Sequence, residues 1–240
     1  MNSGVARVFA LLTVLGLGAG LLALPLATQA PTPEAPLEPE LGNLLPDPDA
    51  GVESLRLVSF NVHKGEDIPA LAKTIRNTPD LCDADIFLVQ EIESHPSEGT
   101  SRTRKLAEAL ELNYVYAPAR RTDTGGTHGL AILSRFPLSG VKIIPLPQFS
   151  LRFNTRRRIA LAATVAVGDR SLRLYNLHLD TRLNTKDRLA QLRPVVEAAR
   201  AHPASGAGVG GDFNTNPSSC ASRDSRHPSR KPMPLFIVAC

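Results

Sequence analysis

The sequence predicts an α/β or α+β layered domain, on three observations. Short strand-type runs follow one another over most of the chain, helical segments interrupt them, and no internal repeat is present. Residues 55–63 alternate and are rich in Leu, Val and Phe, which predicts a strand; 68–76 then take helical spacing until Pro79 ends it. Residues 85–90 form a short apolar run of the buried-strand type. Residues 104–112 place Leu106, Ala109 and Leu110 on one side of an amphipathic helix. After the loop 122–126, Thr-Asp-Thr-Gly-Gly, strands are predicted at 129–134, 141–145, 158–167 and 171–179, with Gly168-Asp169-Arg170 as a hairpin turn. Residues 185–201 return to helix, and the chain then reaches Gly211-Asp212-Phe213-Asn214.

With 240 residues, 42% of them hydrophobic, the chain can bury one sizeable core. The net charge of +4 suits anionic partners such as phosphate esters or an acidic membrane surface, without by itself indicating nucleic acid. Cys82, Cys220 and Cys240 are odd in number and widely spaced, which argues against a disulfide framework or a thiolate metal site. Three Tyr and no Trp leave few surfaces for stacking bases.

The N-terminus reads as an export element. Residues 8–27 carry no charge and follow Arg7, so residues 1–30 are a signal peptide or an N-terminal membrane anchor. Positive charge on the N-terminal side places everything after it outward: exported, membrane-anchored facing outward, or periplasmic or secreted. Prolines 31, 33, 36, 39, 46 and 48 make 31–52 a Pro-rich linker. The globular domain is then 53–218 and the atypical tail 219–240.

Polar groups recur at strand ends: Asn61 and His63, Gln90 and Glu91, Asn176 with His178 and Asp180, and Asp212 with Asn214. Residues two apart on a strand share a face, as expected for Asn176 and His178 and for Asn61 and His63. A carboxylate-and-amide cluster without cysteine suits a hard cation such as Mg²⁺, and a cation and a histidine facing one phosphate supply the field that phosphoryl transfer needs. His63 has both a functional and a structural reading, His128 and Asp180 read as supporting residues, and Arg156-Arg157-Arg158 has a phosphate-binding reading beside the more common one of a solvated face ahead of a strand. Gly206, Gly208 and Gly211 have the G-x-G-x-x-G spacing, but they follow a helix and lead into Asp-Phe-Asn, the wrong setting for a dinucleotide loop.

Five blocks in order carry a resemblance: Ser59-Phe60-Asn61-Val62-His63, Val89-Gln90-Glu91, Gly129-Leu130-Ala131-Ile132-Leu133-Ser134-Arg135-Phe136-Pro137, Tyr175-Asn176-Leu177-His178-Leu179 and Gly211-Asp212-Phe213-Asn214. Together they resemble the endonuclease/exonuclease/phosphatase superfamily, with deoxyribonuclease I-like and exonuclease III-like members. The resemblance implies a four-layer α-β-β-α sandwich of two mixed sheets with the site at one edge. It implies Mg²⁺ or Mn²⁺, with Glu91 as the main metal ligand and Asn61 beside it. Asp212 would orient the attacking water, Asn214 would hold the phosphate or nucleophile, and His178 would donate a hydrogen bond to the phosphorane oxygens. Substrates of the family are phosphate esters in nucleic acid, lipid or inositol phosphates, with nucleic acid ranked first; no protein partner is expected. The family pattern also continues into further strands and a closing Ser-Asp-His, which the sequence as given does not contain. The expectation is therefore a domain with its C-terminal strands missing and with weak activity or none, the alternative being a catalytically inactive remnant that at most binds phosphorylated ligands.

Overall fold

The computed structural model describes residues 37–46, 48, 54–150, 156–215 and 235–239. The uncharged stretch 8–27, the first prolines of the linker, Cys220, Cys240 and most of the tail lie outside the described residues. Among the described residues no helix is long and apolar enough to cross a membrane.

Two five-stranded mixed sheets form the centre. The first contains β1 (Glu40–Gly42), β4 (Asn113–Arg121), β5 (Thr127–Ser134), β3 (Ile86–Ser94) and β2 (Leu57–Lys64), in that spatial order. The second contains β10 (Leu235–Ala239), β9 (Gly206–Asp212), β8 (Arg170–His178), β7 (Ile159–Val167) and β6 (Leu138–Pro145). In each sheet two site-bearing strands run parallel, β2 with β3 and β8 with β9, so their C-terminal ends emerge together.

Apolar alternation builds the layers. Ile86 and Leu88 on β3 join Val115, Leu130, Ile132, Leu161, Val165 and Leu174 between the sheets. Phe87 and Val89 face the other way and pack with Ile68, Ala72 and Ile75 of α1 (Ile68–Asn77) and Leu106 and Ala107 of α3 (Arg102–Leu110). On the far side Val195 and Ala199 of α4 (Thr185–Ala201) pack on Tyr175, Leu177 and Val209. Because helices cover the outer face, β3 is apolar on both sides, which is why it reads as a continuous run rather than an alternation. The arrangement is the expected α-β-β-α sandwich.

Helix boundaries follow local chemistry. Asp67 caps α1 by accepting from the Ala70 N–H at 2.9 Å, with a proline in the first turn. Asn184 caps α4 through the Asp187 N–H at 2.9 Å. α3 starts two residues earlier than its apolar spacing suggests, capped by Ser101, and ends at Leu110 as Glu111 turns left-handed.

Three segments differ from expectation. Glu40–Gly42 lies inside the stretch read as a linker, yet its backbone pairs antiparallel with Tyr114–Tyr116, and Tyr114 donates to the Glu40 carboxylate at 2.6 Å. Residues 113–121, between the predicted helix and loop, form the long strand β4, with Pro118 accommodated at a register shift. The apolar stretch Leu235–Ala239, inside the segment read as an atypical tail, adds a parallel strand beside β9.

Candidate active site

The site forms where the parallel strand pairs of both sheets end. Register places His178 of β8 opposite Asp212 of β9. That pairing needs Gly211, because a Cβ there would collide with the Leu177 carbonyl oxygen and its φ of 137° lies outside the usual range of L-residues. In the first sheet the ladder is distorted instead. Gln90 faces Leu130 and Ile92 faces Gly129, so Glu91 is an extra residue, a bulge held at φ 60°. The neighbouring β2 breaks register between Asn61 and Lys64, with His63 and Lys64 also at positive φ. Left-handed backbone at a non-glycine residue costs about 1–3 kcal/mol and is retained where the surroundings impose it.

These distortions bring four of the five expected side chains together. The Asn61 amide donates to Asp212 Oδ2 at 3.1 Å, across 151 residues of sequence. His178 Nε2 lies 3.7 Å from that same oxygen, and its Nδ1 lies 3.8 Å from Glu91 Oε1. The exposed His63 places Nδ1 3.7 Å from Glu91 Oε2. Asn214, at φ 51°, joins through its backbone, donating to Asp212 Oδ1 at 2.9 Å, while its side-chain amide donates to the Leu179 carbonyl at 2.7 Å. Asp212 is thus gripped at both oxygens by donors. Regular alternation from Asn61 to His63 is lost at the irregularity, where the His63 N–H turns back onto Asn61 Oδ1 at 3.0 Å.

Behind the site a buried amide pair ties the two sheets. Asn176 donates to the Val89 and Ala131 carbonyls, both at 2.8 Å, and accepts from Gln90 Nε2 at 2.8 Å. Every one of those contacts crosses between the sheets, so the strand carrying Glu91 is locked to the strand carrying His178. Asn176 shares its face with His178, as the two-residue spacing predicts. Asp180 is buried and closes a turn by accepting from the Arg182 N–H at 3.0 Å. His128 is buried 3.5 Å from Glu93. Both stand behind the cluster rather than in it.

Burial first, and then the neighbouring Arg158 charge, hold the His178 imidazole down at about 4, against the opposing charges of Asp212 and Glu91. At neutral pH His178 is therefore an uncharged ring that offers one N–H. Among the described residues no three His, Cys, Asp or Glu side chains converge closely enough to hold a metal by themselves. The donor set at the edge is Glu91, Asp212 and the Asn61 amide, half-open to solvent at side-chain exposures of 27% and 23% for the two carboxylates. Hard oxygen donors of this kind hold Mg²⁺ or Mn²⁺ jointly with water and substrate phosphate, so the residues fit such an ion.

One residue that faces this region escaped the sequence reading. Arg120 stands at the end of the unpredicted β4; the β-prone Tyr114-Val115-Tyr116 was the signal for that strand, and Pro118 obscured it.

No curated protein matches the sequence. Solved structures share the fold. A family protein from Leptotrichia buccalis C-1013-b superposes with a TM-score of 0.55 at 16% identity, over 69% of each chain. A mannosyl-6-phosphatase from Bacteroides thetaiotaomicron gives 0.51 at 22% identity, over 69% of this chain and 67% of its own. The human Nocturnin catalytic domain with bound sulfate gives 0.52 at 20%, over 68% and 65%. The sequence profile described as the Endonuclease/Exonuclease/phosphatase family matches residues 58–232, and these span Asn61, Glu91, His178, Asp212 and Asn214. The chain therefore belongs to the endonuclease/exonuclease/phosphatase family, whose members hydrolyse phosphate esters and are generally dependent on a divalent metal.

Proposed function

We propose that this chain hydrolyses phosphate esters with a divalent cation, Mg²⁺ or Mn²⁺, by in-line attack of water. The observation that carries the reading is the convergence of Asn61, Glu91, His178 and Asp212 from four strand ends of two sheets. A plain sheet edge has no use for a bulged glutamate at positive φ aimed at two histidines, His63 and His178.

Glu91 and the Asn61 oxygen would hold such a cation, which would supply positive charge to a bound phosphate ester. Asp212, fixed by Asn61 and by the Asn214 backbone, has lone pairs left to orient the attacking water and take its proton. His178 is uncharged and directs one N–H at a phosphate oxygen whose charge grows in the transition state. Asn214 holds the end of β9 against Leu179, and its amide oxygen remains available to the nucleophile. Nucleic acid ranks first among the substrates, and the net charge of +4 favours any polyanion. Export through residues 1–30, as a signal or an anchor, belongs to the same reading and places the hydrolysis outside the cytoplasm.

The test is hydrolysis of bis(p-nitrophenyl) phosphate by the full chain with Mg²⁺. We expect turnover that EDTA abolishes and that falls about 10²- to 10⁴-fold in Asp212→Asn, the span of a lost general base. Turnover unchanged in that variant, or no turnover with either metal, contradicts the reading; the second result leaves the phosphate-binding remnant.

A further inference from the structure

His178 separates two environments of opposite charge. On one side stand Glu91 and Asp212 at 3.8 and 3.7 Å. On the other opens a small pocket, contiguous with solvent, whose polar lining is Arg120, His128, Arg157 and Arg158 with His178 itself as one wall. Among the described residues no carboxylate lines it.

Three guanidiniums in one small pocket repel one another unless something compensates them. Arg158 Nε is fully buried and makes no hydrogen bond, whereas His128 Nδ1 faces the Glu93 carboxylate at 3.5 Å. Burial holds the Arg158 guanidinium below the ordinary arginine range, with Asp180 and Glu91 opposing and Arg120 and Arg156 adding to the effect. Burial does the same to Arg120, again reinforced by Arg156. Unsatisfied buried donors and like charges are both expensive. One anion in the pocket would relieve both, and a planar guanidinium fork matches a tetrahedral oxyanion in two-point geometry.

We propose that this pocket is a second anion subsite, which holds a non-reacting phosphate of the substrate next to the phosphate being hydrolysed. The proposal rests on the hydrolase reading above. It extends that reading by assigning substrates with at least two phosphates. The second phosphate is the neighbouring group along a nucleic acid or a monoester on a small molecule, and these sources are separable.

The experiment compares matched pairs on the full chain with Mg²⁺: dTpdT against 5′-phosphorylated pdTpdT, and inositol 1-phosphate against inositol 1,4-bisphosphate. Wild type favours the doubly phosphorylated member in kcat/KM by roughly 10-fold or more, the size of one charge-assisted hydrogen bond. Arg120→Gln and Arg157→Gln bring that preference towards 1; Arg157 is exposed, so its replacement leaves the fold intact. Collapse in the nucleotide pair alone identifies a nucleic-acid phosphate, and collapse in the inositol pair alone a small-molecule monoester. A preference absent from wild type, or undiminished in both variants, overturns the subsite. Calorimetric binding of the same pairs to Asp212→Asn separates this from the hydrolase reading. If wild type turns nothing over, tighter binding of the doubly phosphorylated ligand that Arg157→Gln removes still supports the subsite, and equal binding within each pair overturns it.

Discussion

The two sheets deliver their site residues by opposite means. The second sheet does so by regularity: parallel register sets His178 beside Asp212, and the glycine before Asp212 lets the strands approach. The first sheet does so by distortion, with Glu91 extruded as a left-handed bulge and β2 breaking register after Asn61. Substitutions in the second sheet should therefore damage stability and activity together. In the first sheet the two properties should separate, because the site residue is itself the source of strain.

The largest effect is expected at Gly211→Ala, where a Cβ meets the Leu177 backbone and neither chain can move aside. We expect a loss of about 3 kcal/mol in urea unfolding together with loss of hydrolysis. Asn176→Ala should follow at about 2–3 kcal/mol, since it removes three buried hydrogen bonds between the sheets, one from Gln90 Nε2 and two to the Val89 and Ala131 carbonyls. Because Asn176 couples the sheets, its loss also loosens the geometry between Glu91 and His178, and kcat should fall in step. Glu91→Gly should do the reverse, abolishing hydrolysis while raising stability by about 0.5–1 kcal/mol as the backbone strain is released. A destabilised Glu91→Gly would remove the contrast between the sheets.

The smallest effect concerns acid. Glu98 accepts from Arg102 Nη2 at 2.7 Å and from Lys105 at 3.2 Å, and Arg102 also donates to the carbonyl of the left-handed Lys64. The Arg102 hydrogen bond holds the Glu98 carboxyl below its usual 4.5, against the opposing effect of burial. A depressed folded-state value means the stabilisation is complete above 4.5 and disappears as pH falls through the lowered value. Acid should thus release the distorted end of β2 first. Hydrogen exchange at residues 62–65 should rise below pH 4.5 in wild type, and Glu98→Gln should show that faster exchange already at pH 7.

Much of this was legible in the sequence, because the second sheet works by spacing and spacing is visible. Asn176 and His178 fall on one face of β8, and Gly211-Asp212 marks the end of β9. What escaped was long-range or irregular. The glycine-rich 206–212 lacks the β-branched signature of a strand, since its role is close approach rather than packing. β1 is three residues whose place is set by long-range contacts with β4, backbone pairing and the Tyr114–Glu40 hydrogen bond, and not by a local pattern. The bulge at Glu91 leaves no mark in a run of apolar residues, yet it decides where the carboxylate points. Arg157 and Arg158 read as a solvated run, because only the ends of β4 and β5 bring Arg120 and His128 against them.

The central claim is that strand ends from the two sheets act as a single catalytic unit. A double-mutant cycle on kcat/KM with Glu91→Gln and His178→Ala tests it most directly, with Mg²⁺ saturating and bis(p-nitrophenyl) phosphate as substrate. Groups that act as a unit are strongly non-additive, so the double variant should lose little more than the worse single variant. Losses that simply multiply would show that Glu91 and His178 work independently, and the account of a site assembled across both sheets would not stand.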